Sequence, residues 1–218
     1  MILLIQMAWS PFCISVRRIL ERNRIPHRIR NIPSHDRREV IRATHGRGYT
    51  VPCLVDGKTA VSDLTDFGQE VARYVDRKYT LGLFPRDREG IQLILARYIE
   101  NQLEDVGFRI NDSYLIPHLP LEERVMLTRF KERKFGKGCV DEWERDANIL
   151  VARARALLTP TLQTLDGQPF LFGDRPTLAD AALYGQCAML RSGGFGIIAS
   201  LAPRLTEWMS RLEALAKP

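Results

Sequence analysis

The sequence predicts an α/β N-terminal region followed by an all-α C-terminal region, and three observations carry that prediction. Short apolar runs alternate with helix-spaced stripes in the order β-α-β-α-β-β-α up to Tyr79; strand alternation does not return after Leu83-Phe84-Pro85; and the rest of the chain carries long apolar stripes at helical spacing. At 218 residues, with 45% hydrophobic and 27% charged residues, the chain is long enough to bury a core without disulfide or metal staples. The expected division is 1–79, a connection over 80–87, and a helical bundle over 88–218.

Met1 to Ile5 reads as a buried strand, interrupted by Trp9-Ser10-Pro11. A helix starts there, with Ser10 at the N-cap, Pro11 at the first helical position and Cys13, Val16 and Leu20 on one face. Ile25-Pro26 ends it. His27 to Ile32 reads as a second, partly polar strand, and Ser34 to Thr44 as an arginine-rich helix stopped by Gly46 and Gly48. Val51 to Val55, Asp56-Gly57 and Thr59 to Val61 form a hairpin pattern, with Pro52 at the first position of its strand. Phe67, Val71, Tyr74 and Val75 then define one helix face after Asp66.

In the second region Ile91, Ile94, Leu95 and Tyr98 are expected to line one helix. Val140 through Leu158 line a longer one, and Leu205, Trp208, Met209, Leu212 and Leu215 the last. Thr177-Leu178-Ala179-Asp180 has the form of a capping box and opens the apolar run from Ala181 to Leu190.

The net charge of +6 is concentrated at the start: ten arginines against Glu21, Asp36 and Glu39 precede Tyr49. Such a face attracts anions, yet no basic recognition helix or aromatic-basic interleaving accompanies it, so nucleic acid is not the expected partner. Met1 to Ile5 is far too short to span a membrane and lacks the flanks of a signal peptide, which predicts a cytoplasmic protein without membrane contact. The four cysteines (Cys13, Cys53, Cys139, Cys187) are widely separated and read as reduced thiols, and the four histidines show no zinc-ligand spacing, so no metal is expected.

With Ser10-Pro11-Phe12-Cys13 at the first strand-to-helix turn and Val51-Pro52 before the third strand, the N-terminal region resembles the thioredoxin fold. Joined to a helical region with a Thr177/Asp180 capping box, the whole chain resembles the cytosolic glutathione transferases, specifically the bacterial glutathione-transferase-like proteins. The resemblance implies that Ser10 donates its hydroxyl proton to the thiolate of glutathione, the cosubstrate. Lowering a thiol pKa by about two units takes about 2.7 kcal/mol, within reach of one hydrogen bond and a helix N-terminus.

It further implies that Val51 and Pro52 belong to a cis-proline loop meeting the cysteinyl backbone, that an acid near the third helix meets the γ-glutamyl end, and that an arginine meets the glycyl carboxylate. Phe67-Gly68 stand where the family has its acid-Ser/Thr pair; Asp66 or Thr65, just before them, takes the second role or simply caps the helix, and Asp66 is the expected ligand. Arg37, Arg38, Arg42 and Arg47 are the candidates for the third, and Arg42 is the expected one. Phe108 and Tyr114 are expected in the pocket of a small electrophile, and a homodimer follows from resemblance alone.

The expected activity is conjugation of glutathione to a small hydrophobic electrophile in a detoxification role. Two alternatives stand beside it: a non-catalytic binding or regulatory member, and a thiol transferase working through Cys13 or Cys53.

Overall fold

The computed structural model describes residues 1–63, 69–192 and 202–215. Its N-terminal region runs β1 (Ile2–Gln6), α1 (Pro11–Arg22), β2 (His27–Asn31), α2 (Arg38–Ala43), β3 (Cys53–Asp56), β4 (Thr59–Ser62) and α3 (Glu70–Tyr79). The sheet order is β2-β1-β3-β4; β1 and β2 are parallel, and the other pairs antiparallel. This is the predicted β-α-β-α-β-β-α order. Ile2, Leu4 and Leu54 of the sheet pack with Val16 and Leu20 of α1 and Val71 and Val75 of α3.

The arginine-rich helix is shorter than the expected 34–44 span. Asp36 Oδ1 accepts the Arg38 N–H at 2.9 Å, turning the chain before α2 and leaving Ser34 and His35 in a loop.

The second region holds α4 (Glu89–Tyr98), a π-helical turn (Ile99–Leu103), α5 (Glu104–His118), α6 (Leu121–Phe135), α7 (Cys139–Arg145), α8 (Ala147–Gly167), α9 (Leu178–Ser192) and α10 (Pro203–Ala214). The stripe expected along one helix from Val140 to Leu158 lies on two, because Asp146 leaves helical dihedrals at φ −90° and ψ 11°. Trp143 of α7 and Leu150, Ala154 and Leu158 of α8 still share one core.

On α4 the buried face is not the expected one. Ile91 and Ile94 are 59% and 66% exposed, whereas Gln92 and Ala96 are fully buried. Gln92 takes the interior position because its amide is used there. Nε2 donates to Leu83 O at 2.9 Å, and Oε1 accepts the Ala179 N–H at 3.4 Å. A side chain that satisfies two backbone groups where chain segments meet outcompetes an isoleucine with nothing to offer them.

One arm of the expected capping box forms, and the Thr177 hydroxyl donates to the same carboxylate. Asp180 Oδ2 accepts the Thr177 N–H and Oδ1 the Leu171 N–H, both at 2.9 Å, with the carboxylate fully buried. Leu205, Trp208, Met209 and Leu212 of α10 are buried, but Leu215, past its end, is 44% exposed.

The two regions meet along α1 and α9. A Cβ added at Gly185 would lie 2.2 Å from Pro11 O, so only glycine lets α9 approach the first turn of α1 this closely. Ser15 Oγ donates to Ala181 O at 2.8 Å and Arg22 Nη1 to Pro176 O at 3.1 Å across the same seam. The start of α1 is thereby fixed against the helical region.

Candidate functional site

A cleft of about 520 Å³ opens between the two regions. Three connections of the α/β region form one wall: Met7, Trp9, Ser10 and Phe12 from the β1–α1 turn; Ser34, His35 and Arg37 from the β2–α2 loop; and Tyr49, Thr50 and Val51 ahead of β3. Helices form the other: Glu104, Phe108 and Asp112 from α5; Met126, Leu127, Phe130 and Lys131 from α6; and Met189 from α9. The Ser34 N–H donates to Glu123 at 2.8 Å, tying loop to α6.

Ser10 stands at the N-cap with extended dihedrals and Pro11 at the next position, as its sequence predicts, yet its side chain makes no capping bond. The hydroxyl caps no backbone N–H; its bond within the helix is to the Cys13 thiol, and Ser10 lines the cleft with 4% exposure. Beneath it Cys13 is fully buried. Burial pushes that thiol up to about 11, against hydrogen bonds with Ser10 and the Met7 backbone that pull it down. Burial also pushes Cys53 up to about 11, and all four cysteines are buried. Neither thiol of the transferase reading is presented as a nucleophile.

The Val51–Pro52 peptide is cis, and Val51 lines the cleft. Arg42 does not: it borders a separate depression between α2 and the sheet, with Arg28, Arg30 and Glu39. The cleft arginine of this segment is Arg37, whose guanidinium donates to Pro33 O and to Met7 Sδ. The separation follows from the short α2: Arg37 precedes its first turn, and Arg42 lies near its end, against the sheet. Nearby, Ser34 Oγ and His35 Nδ1 are buried with no hydrogen-bond partner among the described residues. Polar atoms left so are ready for a polar ligand.

Asp66, with Thr65, Phe67 and Gly68, lies outside the described residues. The described acid at the head of α3 is Asp63, whose Oδ1 accepts the Val71 N–H at 3.0 Å. Burial holds its carboxyl well above the ordinary range, and the nearby Glu70 adds to the effect. Glu100, half-buried and close enough for Asp63 to repel it, is pushed up to about 7 by burial and by Asp63 and Glu104.

Phe108 lines the helical wall and is 8% exposed, stacked edge-on against Trp143 at 5.5 Å. Lys131 Nζ sits 3.9 Å above its ring and 2.7 Å from Asp112 Oδ2. Tyr114 is not in that wall; six residues past Phe108 its Cβ points to another side of α5, and it is 40% exposed. On this wall Glu104 is missed in the sequence, as are Ser34, His35 and Asp63 in the α/β region. Glu104, Phe108 and Asp112 repeat every four residues, which places all three on one helix face, so Phe108 itself carried the signal.

Comparison with known proteins decides the family. Residues 4–80 match the family described as glutathione S-transferase, N-terminal domain, and residues 139–211 the one described as glutathione S-transferase, C-terminal domain. The chain belongs to the glutathione S-transferase family. Among curated proteins none matches it.

Solved glutathione transferases share its fold over essentially the whole chain. GSTFuA3 from Phanerochaete chrysosporium is similar with a TM-score of 0.83 at 20% identity, covering 100% of this chain and 97% of that one. CsGST83044 of Ceriporiopsis subvermispora, solved with glutathione, gives 0.80 at 18% identity, covering 99% and 97%. CsGST63524 of the same fungus, also with glutathione, gives 0.78 at 17% identity, covering 99% and 96%. At these identities the likeness carries the fold.

Proposed function

We propose that this glutathione S-transferase family member is an enzyme that binds glutathione along the α/β wall of the cleft and joins it, through its sulfur, to a small apolar electrophile. The observation that carries the reading is Ser10: a hydroxyl at a helix N-terminus, free of any capping bond, lining a cleft of about 520 Å³. Two of the similar structures hold glutathione, which supports the same ligand here.

Donation by Ser10, with the positive end of the twelve-residue α1 behind it, stabilises a thiolate relative to the thiol. Ser10 itself stays protonated. Val51 offers backbone groups to the cysteinyl unit, in the manner of strand pairing. Arg37, rather than Arg42, takes the glycyl carboxylate, with Ser34 and His35 at hand to complete its hydrogen bonds. The ammonium of the γ-glutamyl end goes to the acidic group around Asp63, where a cation relieves the repulsion between Asp63 and Glu70.

The sulfur then attacks an electrophile held against Phe108, Phe130 and Met189. The exposed Ile91 and Ile94 of α4 support a homodimer, since adjacent apolar side chains are costly to leave in water. Calorimetry with glutathione tests the reading. Binding that weakens in Arg37→Ala supports it, and absence of heat at millimolar ligand overturns it.

A further inference from the structure

The helical wall carries one acid that the proposed thiolate chemistry leaves without a task. Glu104 begins α5 directly after the π-helical turn Ile99–Leu103, and it lines the cleft among Phe108, Met126, Phe130 and Met189. A π-turn inserts an extra residue into the helical repeat and so re-aims the side chains beyond it. The neighbouring carboxylates are engaged, Asp112 by Lys131 at 2.7 Å and Asp105 by Arg109 at 2.9 Å. No hydrogen bond or ion pair among the described residues engages that of Glu104.

From this placement we propose that Glu104 is a catalytic proton donor to the second substrate. The cleft then serves apolar electrophiles whose attack by sulfur throws charge onto oxygen, namely epoxides and α,β-unsaturated carbonyls. The proposal rests on the glutathione-thiolate reading of Ser10.

With an epoxide, a sulfur lone pair forms the new S–C bond as the C–O bond breaks. The bonding pair stays on oxygen, and the Glu104 proton moves to it. The carboxylate then takes back a proton from solvent, matching the one the thiol released on ionising. With an unsaturated carbonyl, as the S–C bond forms at the β carbon the C=C π pair moves between the α and carbonyl carbons and the C=O π pair moves onto oxygen, and Glu104 protonates the enolate oxygen.

The acid is kept protonated to near neutrality. Burial pushes Glu104 up to about 7; Lys131 and Lys134 of α6 pull it down, and Asp112 and Asp105 of α5 push it up. Glu100 of the π-turn repels it as well. A donor with a pKa close to the working pH combines a large protonated fraction with a strong driving force.

The test compares styrene oxide with 1-chloro-2,4-dinitrobenzene, whose chloride leaves without a proton, from about pH 5.5 to about pH 9. In the wild-type protein kcat/KM for the epoxide should fall on the alkaline side through about pH 7, while that for the aryl halide rises with thiolate formation. Glu104→Gln should remove the alkaline limb and lower epoxide turnover about a hundredfold more than aryl-halide turnover, within the usual contribution of general acid catalysis. Glu104→Asp should keep the limb. Equal losses on both substrates, or an alkaline limb that survives in Glu104→Gln, would overturn the proposal. So would a wild-type protein that turns over the aryl halide alone, which leaves the Ser10 reading intact; a protein giving no heat with glutathione overturns both.

Discussion

The two walls of the cleft are built by different means. The α/β wall is made of chain connections, the β1–α1 turn, the β2–α2 loop and the segment before β3, so it presents backbone groups and a helix N-terminus whose positions follow from the sheet. The helical wall is made of side chains on α5, α6 and α9, at positions that alter without disturbing the backbone. A fixed tripeptide suits the first wall. A variable electrophile suits the second, and on the proposed reading the contrast makes glutathione affinity and choice of electrophile properties of different walls.

The contrast breaks most completely if the walls lose their spacing. Asp180→Ala leaves the buried Thr177 and Leu171 N–H groups without their acceptor and should destabilise the protein by about 3 kcal/mol in denaturant unfolding, while Asp180→Asn loses less. Gly185→Ala drives a methyl group into Pro11 O at the seam and should cost about 1–3 kcal/mol, with loss of turnover exceeding any loss of stability because α1 carries Ser10. Wild-type stability and turnover in Gly185→Ala would mean that the α1–α9 contact is not what sets the cleft.

Within the α/β wall, Arg37→Ala should weaken glutathione about tenfold in calorimetry, the scale of one charged hydrogen-bonded contact. Arg42→Ala, whose side chain faces a different depression, should stay within about twofold. The reverse order would restore Arg42 as the carboxylate partner.

The smallest effect lies behind the cleft. The Glu100 carboxyl, pushed up to about 7 by burial, binds its proton more tightly folded than unfolded, so its contribution to stability is lost as pH rises from about 4.5 through 7. Glu100→Gln should flatten this dependence and raise Tm at pH 8, by about 2–4 °C for each kcal/mol recovered in a chain of this size.

Legibility in the sequence divides along the same line. Ser10-Pro11 and Val51-Pro52 are local punctuation of the chain and can be read directly, as can the Thr177/Asp180 box, because each acts through neighbouring backbone. The inward face of α4 is not legible. Periodicity ranks Ile91 and Ile94 above Gln92, and only the meeting of Leu83 and Ala179 with that glutamine reverses the order. Arg37 and Arg42 are chemically identical, and the turn at Asp36 separates them. Glu104 can be placed on the Phe108 face by its four-residue spacing, but nothing in the residues before it announces the π-turn that precedes it.

The claim on which the chemistry depends is that Ser10 keeps the sulfur of bound glutathione ionised. Ultraviolet titration of the thiolate in the complex measures this directly. The wild-type complex should titrate near pH 6.5, about two units below a free thiol, and Ser10→Ala should raise it most of the way toward about 8.5, the helix N-terminus keeping the remainder, while still binding glutathione. A bound thiol that titrates at the same pH with and without the serine hydroxyl would contradict the account.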